Sequence, residues 1–157
     1  MRPVTVSIDV PQGREEAYDF LDVLANHAPF TDHMLDNWEY SGPGAGIGSK
    51  ATVNAAMMGR REVIEIEVVD AERPAKIVER NTGADGGRIA NGTYLLEELP
   101  GGGTRIVFEY SWQRVPQAER LAAPLVRWML RRGNQRSLQR LSEQLAANGT
   151  APEVEVD

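Results

Sequence analysis

The stretch GTYLLEELPGGGTRIVFEY, residues 92–110, contains two strand-like runs separated by a glycine-rich turn. On both sides of PGGG the sequence is rich in aromatic and β-branched side chains, which favour strands. A connection this short cannot form a crossover between parallel strands, so the two runs are predicted to pair as an antiparallel hairpin. The same pattern of short runs and short turns extends through the preceding half of the chain.

Further strand-like runs precede this hairpin, joined by a glycine-rich loop and by the turn signals MG, RP and GADGG. With the two runs of the hairpin they make six, in chain order NWEYS, SKATVNAAM, RREVIEIEVVDAE, AKIVERNT, GRIANGTYLLEEL and TRIVFEYSW. A seventh run, VTVSIDV at residues 4–10, alternates apolar with polar residues, which is typical of a strand with one buried face. The sequence therefore predicts seven strands, mostly antiparallel neighbours.

Helical periodicity occurs near both ends of the chain. REEAYDFLDVLAN, residues 14–26, has apolar residues at helical spacing, and a second short helix or turn is expected near residues 29–35. A long helix is predicted from about residue 117 to residue 147. Its apolar stripe changes side near Gly133, which predicts a kink or two segments there. If the second half lies on the sheet, the first half turns apolar side chains towards a cavity mouth, a partner subunit or a lipid.

The glycine-rich loop YSGPGAGIGSK, residues 40–50, resembles a phosphate-binding loop only superficially. A Walker A loop requires lysine directly after its last glycine, whereas Ser49 separates Gly48 from Lys50. The dinucleotide fingerprint requires a different glycine spacing and a following helix, and the sequence after this loop alternates like a strand. The loop is therefore interpreted as a flexible connection between two strands.

The composition of the chain excludes several classes of function. The chain has 157 residues, with 17 basic and 23 acidic side chains and a net charge of -6, which disfavours a general nucleic-acid role. The absence of cysteine excludes disulfides and thiol nucleophiles. Neither a signal peptide nor an apolar stretch of membrane-spanning length is found, so a cytoplasmic protein is expected. One domain is predicted at residues 1–147, followed by an acidic, disordered tail at 148–157.

Four regions together resemble the START-like or SRPBCC superfamily, in its polyketide cyclase/dehydrase-like branch. They are VSIDVPQGREEAYDFLDVLANHAPF, the glycine loop before GSKATV, GTYLLEELPGGGTRIVFEY and the closing helix. The resemblance implies an α+β helix-grip fold, in which a curved seven-stranded antiparallel sheet wraps a long C-terminal helix around an apolar cavity. In related plant allergen-type members a glycine-rich loop likewise joins strands two and three, which implies a place for it on the cavity rim.

The alternation of inward- and outward-facing residues along each strand predicts which side chains would line such a cavity. One face of strand four and one face of strand seven carry large apolar side chains, and the first half of the last helix adds more. In strand six the register is open, so that either Asn91 and Thr93 or Tyr94 face inwards. The predicted ligand-binding residues are Ile64, Ile66, Val68, Asn91, Tyr94, Phe108, Tyr110, Trp112, Leu125, Trp128 and Met129.

Polar residues on the same faces are candidates for chemistry. Glu62 is in phase with the apolar face of strand four, and Arg88 opens strand six, where it would meet Glu62 or an anionic ligand. Tyr94 and His33 are further candidates for proton transfer. His27 and His33 are six residues apart, which is wrong for one helical face, and further zinc ligands are lacking. No metal and no cofactor are predicted.

The leading hypothesis is binding or transport of a small hydrophobic or amphipathic molecule, such as a lipid, a polyketide or an aromatic metabolite. One alternative is a polyketide aromatase/cyclase or dehydratase that uses the cavity's polar residues. Another is a protein-interaction module, including a homodimer, that buries the apolar first half of the last helix. The sequence leaves open whether the protein is an enzyme.

Overall fold

The computed structural model describes residues 1–57 and 59–149 and contains one seven-stranded sheet with helices at both ends of the chain. The strands are β1 (Val4–Val10), β2 (Leu35–Ser41), β3 (Lys50–Met57), β4 (Arg60–Glu72), β5 (Lys76–Gly83), β6 (Arg88–Glu98) and β7 (Thr104–Arg114). The helices are α1 (Arg14–Leu21), α2 (His27–Thr31), α3 (Gln117–Leu121) and α4 (Ala123–Gly149), with short 3₁₀ turns at Leu24–Asn26 and Ala84–Gly86. The predicted α+β architecture and the predicted number of strands are confirmed.

The sheet is antiparallel throughout, in the order β1-β7-β6-β5-β4-β3-β2. Neighbours in space are neighbours in the chain except for β1, which pairs with β7 and places Val6 opposite Phe108. The segment with α1 and α2 consequently carries the chain from one edge of the sheet to the other. The curved sheet and the long terminal helix together form a helix grip.

The second half of α4 lies on the concave face of the sheet and completes the core. Leu138, Leu141 and Leu145 recur on one helical face and are buried against a cluster that includes Val6 and Ile106. Burial of side chains of this size contributes about 1.5–3 kcal/mol each relative to exposure. This packing fixes the position of α4 relative to the sheet.

The predicted kink at Gly133 is wrong, because α4 is one uninterrupted helix from Ala123 to Gly149. The interruption lies earlier, at Ala122, where φ is -100° and ψ is 24°, two residues before Pro124. Gly133 serves packing instead: a Cβ atom at this position would overlap the sulfur of Met34. The helix extends beyond the predicted boundary at residue 147, and residues 150–157 of the predicted tail lie outside the described residues.

The glycine-rich loop joins β2 to β3, as predicted. Its backbone is fixed to β4, because the Gly48 N–H donates to the Val68 carbonyl and the Val68 N–H donates to the Ser49 carbonyl, both at 2.9 Å. Gly42, Gly46 and Gly48 have positive φ angles of 77°, 81° and 92°, a conformation that glycine adopts without steric cost. Within the described residues, no helix is both long enough and apolar enough to cross a membrane.

Candidate ligand-binding cavity

A cavity of about 480 Å³ lies between the concave face of the sheet, α2 and the first half of α4. Sites for small organic molecules commonly measure about 300–1,000 Å³. Most of the lining is apolar, with Ile64 and Ile66 from β4, Phe108 from β7 and Trp38 from β2. On β6 a Cβ atom at Gly92 would lie 3.0 Å from the Phe108 ring, so glycine leaves room for that ring beside the cavity.

The first half of α4 forms the mouth of this cavity. Trp128 and Met129 line it while remaining 56% and 41% exposed, and the guanidinium of Arg132 lies 5.5 Å from the Trp128 ring centroid. Leu121 and Leu125 are exposed beside them. The apolar stripe of the helix changes side because Trp128 and Met129 of the first half line the cavity, whereas Leu138, Leu141 and Leu145 of the second half pack in the core.

Seven of the eleven predicted ligand-binding side chains line the cavity: Ile64, Ile66, Tyr94, Phe108, Tyr110, Trp128 and Met129. The other four do not line it. Val68 is buried in the core, Trp112 packs edge-on against Tyr110, and Leu125 is exposed to solvent. Asn91 lies on the opposite face of β6, because Ala90, Gly92 and Tyr94 are the buried, inward-facing residues of that strand. A shift of one residue along a strand exchanges its inward and outward faces, so the register of β6 decides whether Asn91 or Tyr94 faces the cavity.

One polar cluster of the cavity wall is centred on Arg88. Its Nε donates to Glu119 Oε1 at 2.8 Å, its Nη2 donates to Glu119 Oε2, and its Nη1 donates to Glu62 Oε1. Burial alone would lower the pKa of Arg88, but the hydrogen bonds to Glu119 and Glu62 outweigh it and raise the pKa. Arg88 therefore meets Glu62, and its charge is offset by two carboxylates.

Tyr110 lies beside this cluster and lines the cavity. Burial raises the pKa of Tyr110 to about 12, with opposing contributions from Arg88 and from the two carboxylates. The phenol thus stays protonated at neutral pH and is a hydrogen-bond donor.

A second polar cluster lies at the buried end of the cavity and consists of His27, Glu79 and Tyr94. The Nε2–H of His27 donates to the Leu21 carbonyl at 2.7 Å, which leaves Nδ1 facing Glu79 Oε1 at 3.4 Å. The ring of Tyr94 packs edge-on against His27, with 5.8 Å between ring centroids. Burial, and then the nearby Glu79 carboxylate, raise the pKa of Tyr94 well above its usual value.

Burial raises the pKa of Glu79, and the electrostatic interaction with His27 opposes the effect only in part. As the pH rises above about 4.5, the ordinary pKa of glutamate in an unfolded chain, the unfolded protein loses this proton before the native protein does. Native stability consequently falls until the pH passes the raised pKa. We expect Glu79→Gln to be more stable than the wild-type protein at mildly alkaline pH and equally stable near pH 4. Urea unfolding at both pH values measures this difference, and an unchanged difference at the two pH values would contradict it.

Three buried polar atoms of the cavity lining have no hydrogen-bond partner within the described residues: Glu79 Oε1, Trp38 Nε1 and Asn134 Nδ2. Buried polar groups are nearly always paired, because an unpaired one costs about 1–3 kcal/mol. Because their side chains line the cavity, a small side-chain rotation would bring these atoms into contact with water or a bound molecule.

His33 lines the cavity, but both of its ring nitrogens are occupied. Nε2 donates to the Gly133 carbonyl at 2.9 Å, and Nδ1 accepts from Arg140 at 3.2 Å. This arrangement ties the turn after α2 to α4 and leaves no free ring nitrogen for a ligand. The geometry indicates a structural contribution from His33.

Sequence reasoning missed His27, Glu79 and Glu119 as residues of the site. The strand pattern predicts that Glu79 faces inwards, because it is in phase with Ile77 on β5. Glu119 carried a weaker signal, since it is the sole acidic residue between positions 114 and 140. Nothing local to His27 indicated its partner, which lies 52 positions further along the chain.

Two other expectations concern loops and metals. The glycine-rich loop does not belong to the cavity lining, because it adjoins Lys50 at the start of β3 while Ala55 lines the cavity near the end of that strand. The rim position implied by the resemblance is therefore corrected.

Across residues 1–57 and 59–149, no group of three or more His, Asp or Glu side chains is arranged to hold a metal ion.

Comparison with known proteins finds similarity in structure alone. No known protein-family profile and no curated protein sequence matches the chain. A conserved protein from Geobacillus kaustophilus superposes with a TM-score of 0.76 at 15% identity, over 94% of this chain and 97% of that one. The Zhui aromatase/cyclase from Streptomyces sp. R1128 gives 0.71 at 13% identity, over 94% and 95%. Ara h 8.0201 gives 0.63 at 11% identity, over 94% and 99%.

These similarities show the fold. The chain has the helix-grip fold, and the resemblance found in the sequence is confirmed at the level of the fold. Fold alone does not specify activity, which must be argued from the site.

Proposed function

We propose that this protein binds one small, largely apolar molecule in the cavity between α4 and the sheet. The observation that carries the proposal is an apolar cavity of about 480 Å³ whose lining includes buried polar atoms without partners among the described residues. Apolar walls supply affinity by removing ligand surface from water, and a few polar groups set the orientation. An aromatic metabolite or a polyketide fits this combination.

The state of Arg88 and Glu62 favours binding over the proposed cyclase chemistry. Both residues are candidates for proton transfer, but each is held by the other, and Arg88 is also held by Glu119. A proton-transfer residue needs access to the reacting group of a substrate. The Arg88 cluster stabilises the wall of the cavity instead.

Tryptophan fluorescence tests the proposal, since Trp38 and Trp128 line the cavity and Trp112 does not. Titration with phenanthrene, a neutral three-ring hydrocarbon, is expected to quench the emission saturably with one molecule per chain. The variant Trp112→Phe should retain this response, while Trp38→Phe should lose a large part of it. Emission that does not change up to the solubility limit of phenanthrene would refute the proposal.

A further inference from the structure

We infer that the bound molecule is uncharged and places a hydroxyl group against Glu79 and His27 at the buried end of the cavity. The inference rests on the proposed function and names the chemical class of its ligand. It starts from the Glu79 carboxyl, which is 6% exposed, lines the cavity and has one oxygen without a hydrogen-bond partner among the described residues.

The geometry of the pair suits a hydroxyl group. The separation of 3.4 Å between His27 Nδ1 and Glu79 Oε1 is longer than the 2.7–3.2 Å, roughly, of a well-formed hydrogen bond. Because Nε2 of His27 is already bound to the Leu21 carbonyl, the ring cannot turn to improve the contact without losing that bond. A hydroxyl group both donates and accepts, so it can pair with the carboxyl in either protonation state.

A ligand carboxylate is disfavoured at the same position. It would place two carboxyl groups side by side in a site with little water, where they must share a proton or repel each other as like charges. Arg88 cannot compensate, because its guanidinium is held by Glu62 and Glu119. The other unpartnered donors of the described lining, Trp38 Nε1 and Asn134 Nδ2, are neutral and suit keto or ether oxygens.

Two further arginines of the described cavity lining lie at the mouth. Arg132 and Arg136 line the cavity there and are exposed to solvent. An acidic molecule held by these arginines would keep its charged group in water at the mouth and would not reach Glu79. Substitution of Glu79 therefore separates the two modes of binding.

Three probes with one ring system test the inference: phenanthrene, 9-phenanthrol and phenanthrene-9-carboxylate. For the wild-type protein near neutral pH, we expect 9-phenanthrol to bind about tenfold more tightly than either of the others, because an unmatched buried polar group is costly. In Glu79→Leu the affinities for 9-phenanthrol and for phenanthrene should become equal within about twofold, because the partner of the hydroxyl group is gone. Glu79→Gln, which keeps the shape and the hydrogen-bonding capacity, should retain most of the preference for 9-phenanthrol and reduce the penalty on the carboxylate.

The outcomes separate this inference from the proposed function. If the carboxylate binds as tightly as 9-phenanthrol and neither responds to Glu79, the inference is wrong while the cavity remains a binding site. If phenanthrene does not bind at all, the proposed function fails and the inference fails with it. Circular dichroism of both Glu79 variants verifies the fold, and Glu79→Gln decides the question should Glu79→Leu not fold.

Discussion

Replacement of Arg88 by leucine is expected to lower the free energy of unfolding by about 3–5 kcal/mol, the usual effect of removing one partner from a buried ion pair. The substitution leaves Glu62 and Glu119 facing each other without a counter-charge, and their side chains are only 18% and 7% exposed. Urea unfolding near neutral pH measures the loss.

Arg105→Leu is the matched control for this substitution. Arg105 also donates two hydrogen bonds to one carboxylate, that of Asp9, at 2.8 and 3.1 Å, but this pair lies on the exposed surface. Exposed pairs contribute about 0–1 kcal/mol, so the control should lose little stability. The triple variant Glu62→Gln, Arg88→Met, Glu119→Gln should recover much of the loss, because no buried charge remains in the cluster. Equal losses for Arg88→Leu and Arg105→Leu would show that Arg88 is not held as described.

Partial filling of the cavity is expected to weaken phenanthrene binding about 10- to 100-fold, because a ligand and an inserted ring would compete for one space. Ala55→Phe provides the test. Ala55 lies on β3, is buried and lines the cavity, so a larger side chain there extends into the cavity. Fluorescence titration measures the affinity, and thermal unfolding shows whether the variant remains folded.

Ala45→Phe makes the same chemical change outside the site. Ala45 is exposed in the glycine-rich loop, whose residues do not line the cavity. This control should bind phenanthrene with the wild-type affinity. Equal loss of affinity in both variants would place the binding site elsewhere, and so would unchanged affinity in a folded Ala55→Phe protein.

The fold could be predicted because it depends on local patterns that the sequence carries. Alternation in VTVSIDV, the PGGG turn and the helical spacing near both ends of the chain each specify one element. Short turns then specify which strands are neighbours. Because each local pattern agrees with the connections on either side of it, the helix grip can be recognised from the sequence.

The site could be predicted only in part, because its polar residues pair across long distances in the sequence. Glu119 meets Arg88 from a separate helix, and His27 at the start of α2 meets Glu79 on β5. Gly133 illustrates the same limit: helix propensity suggests a kink, whereas the close approach of Met34 explains the glycine. The face of β6 was undecided for a related reason, since both of its faces carry residues compatible with burial.

The crystal structure of the protein with phenanthrene tests the central claim most directly. We expect ring density in the cavity between α4 and the sheet, in contact with Ile64, Phe108 and Trp128. An interior closed by rotated side chains, with phenanthrene absent or bound only on the outer surface, would contradict it.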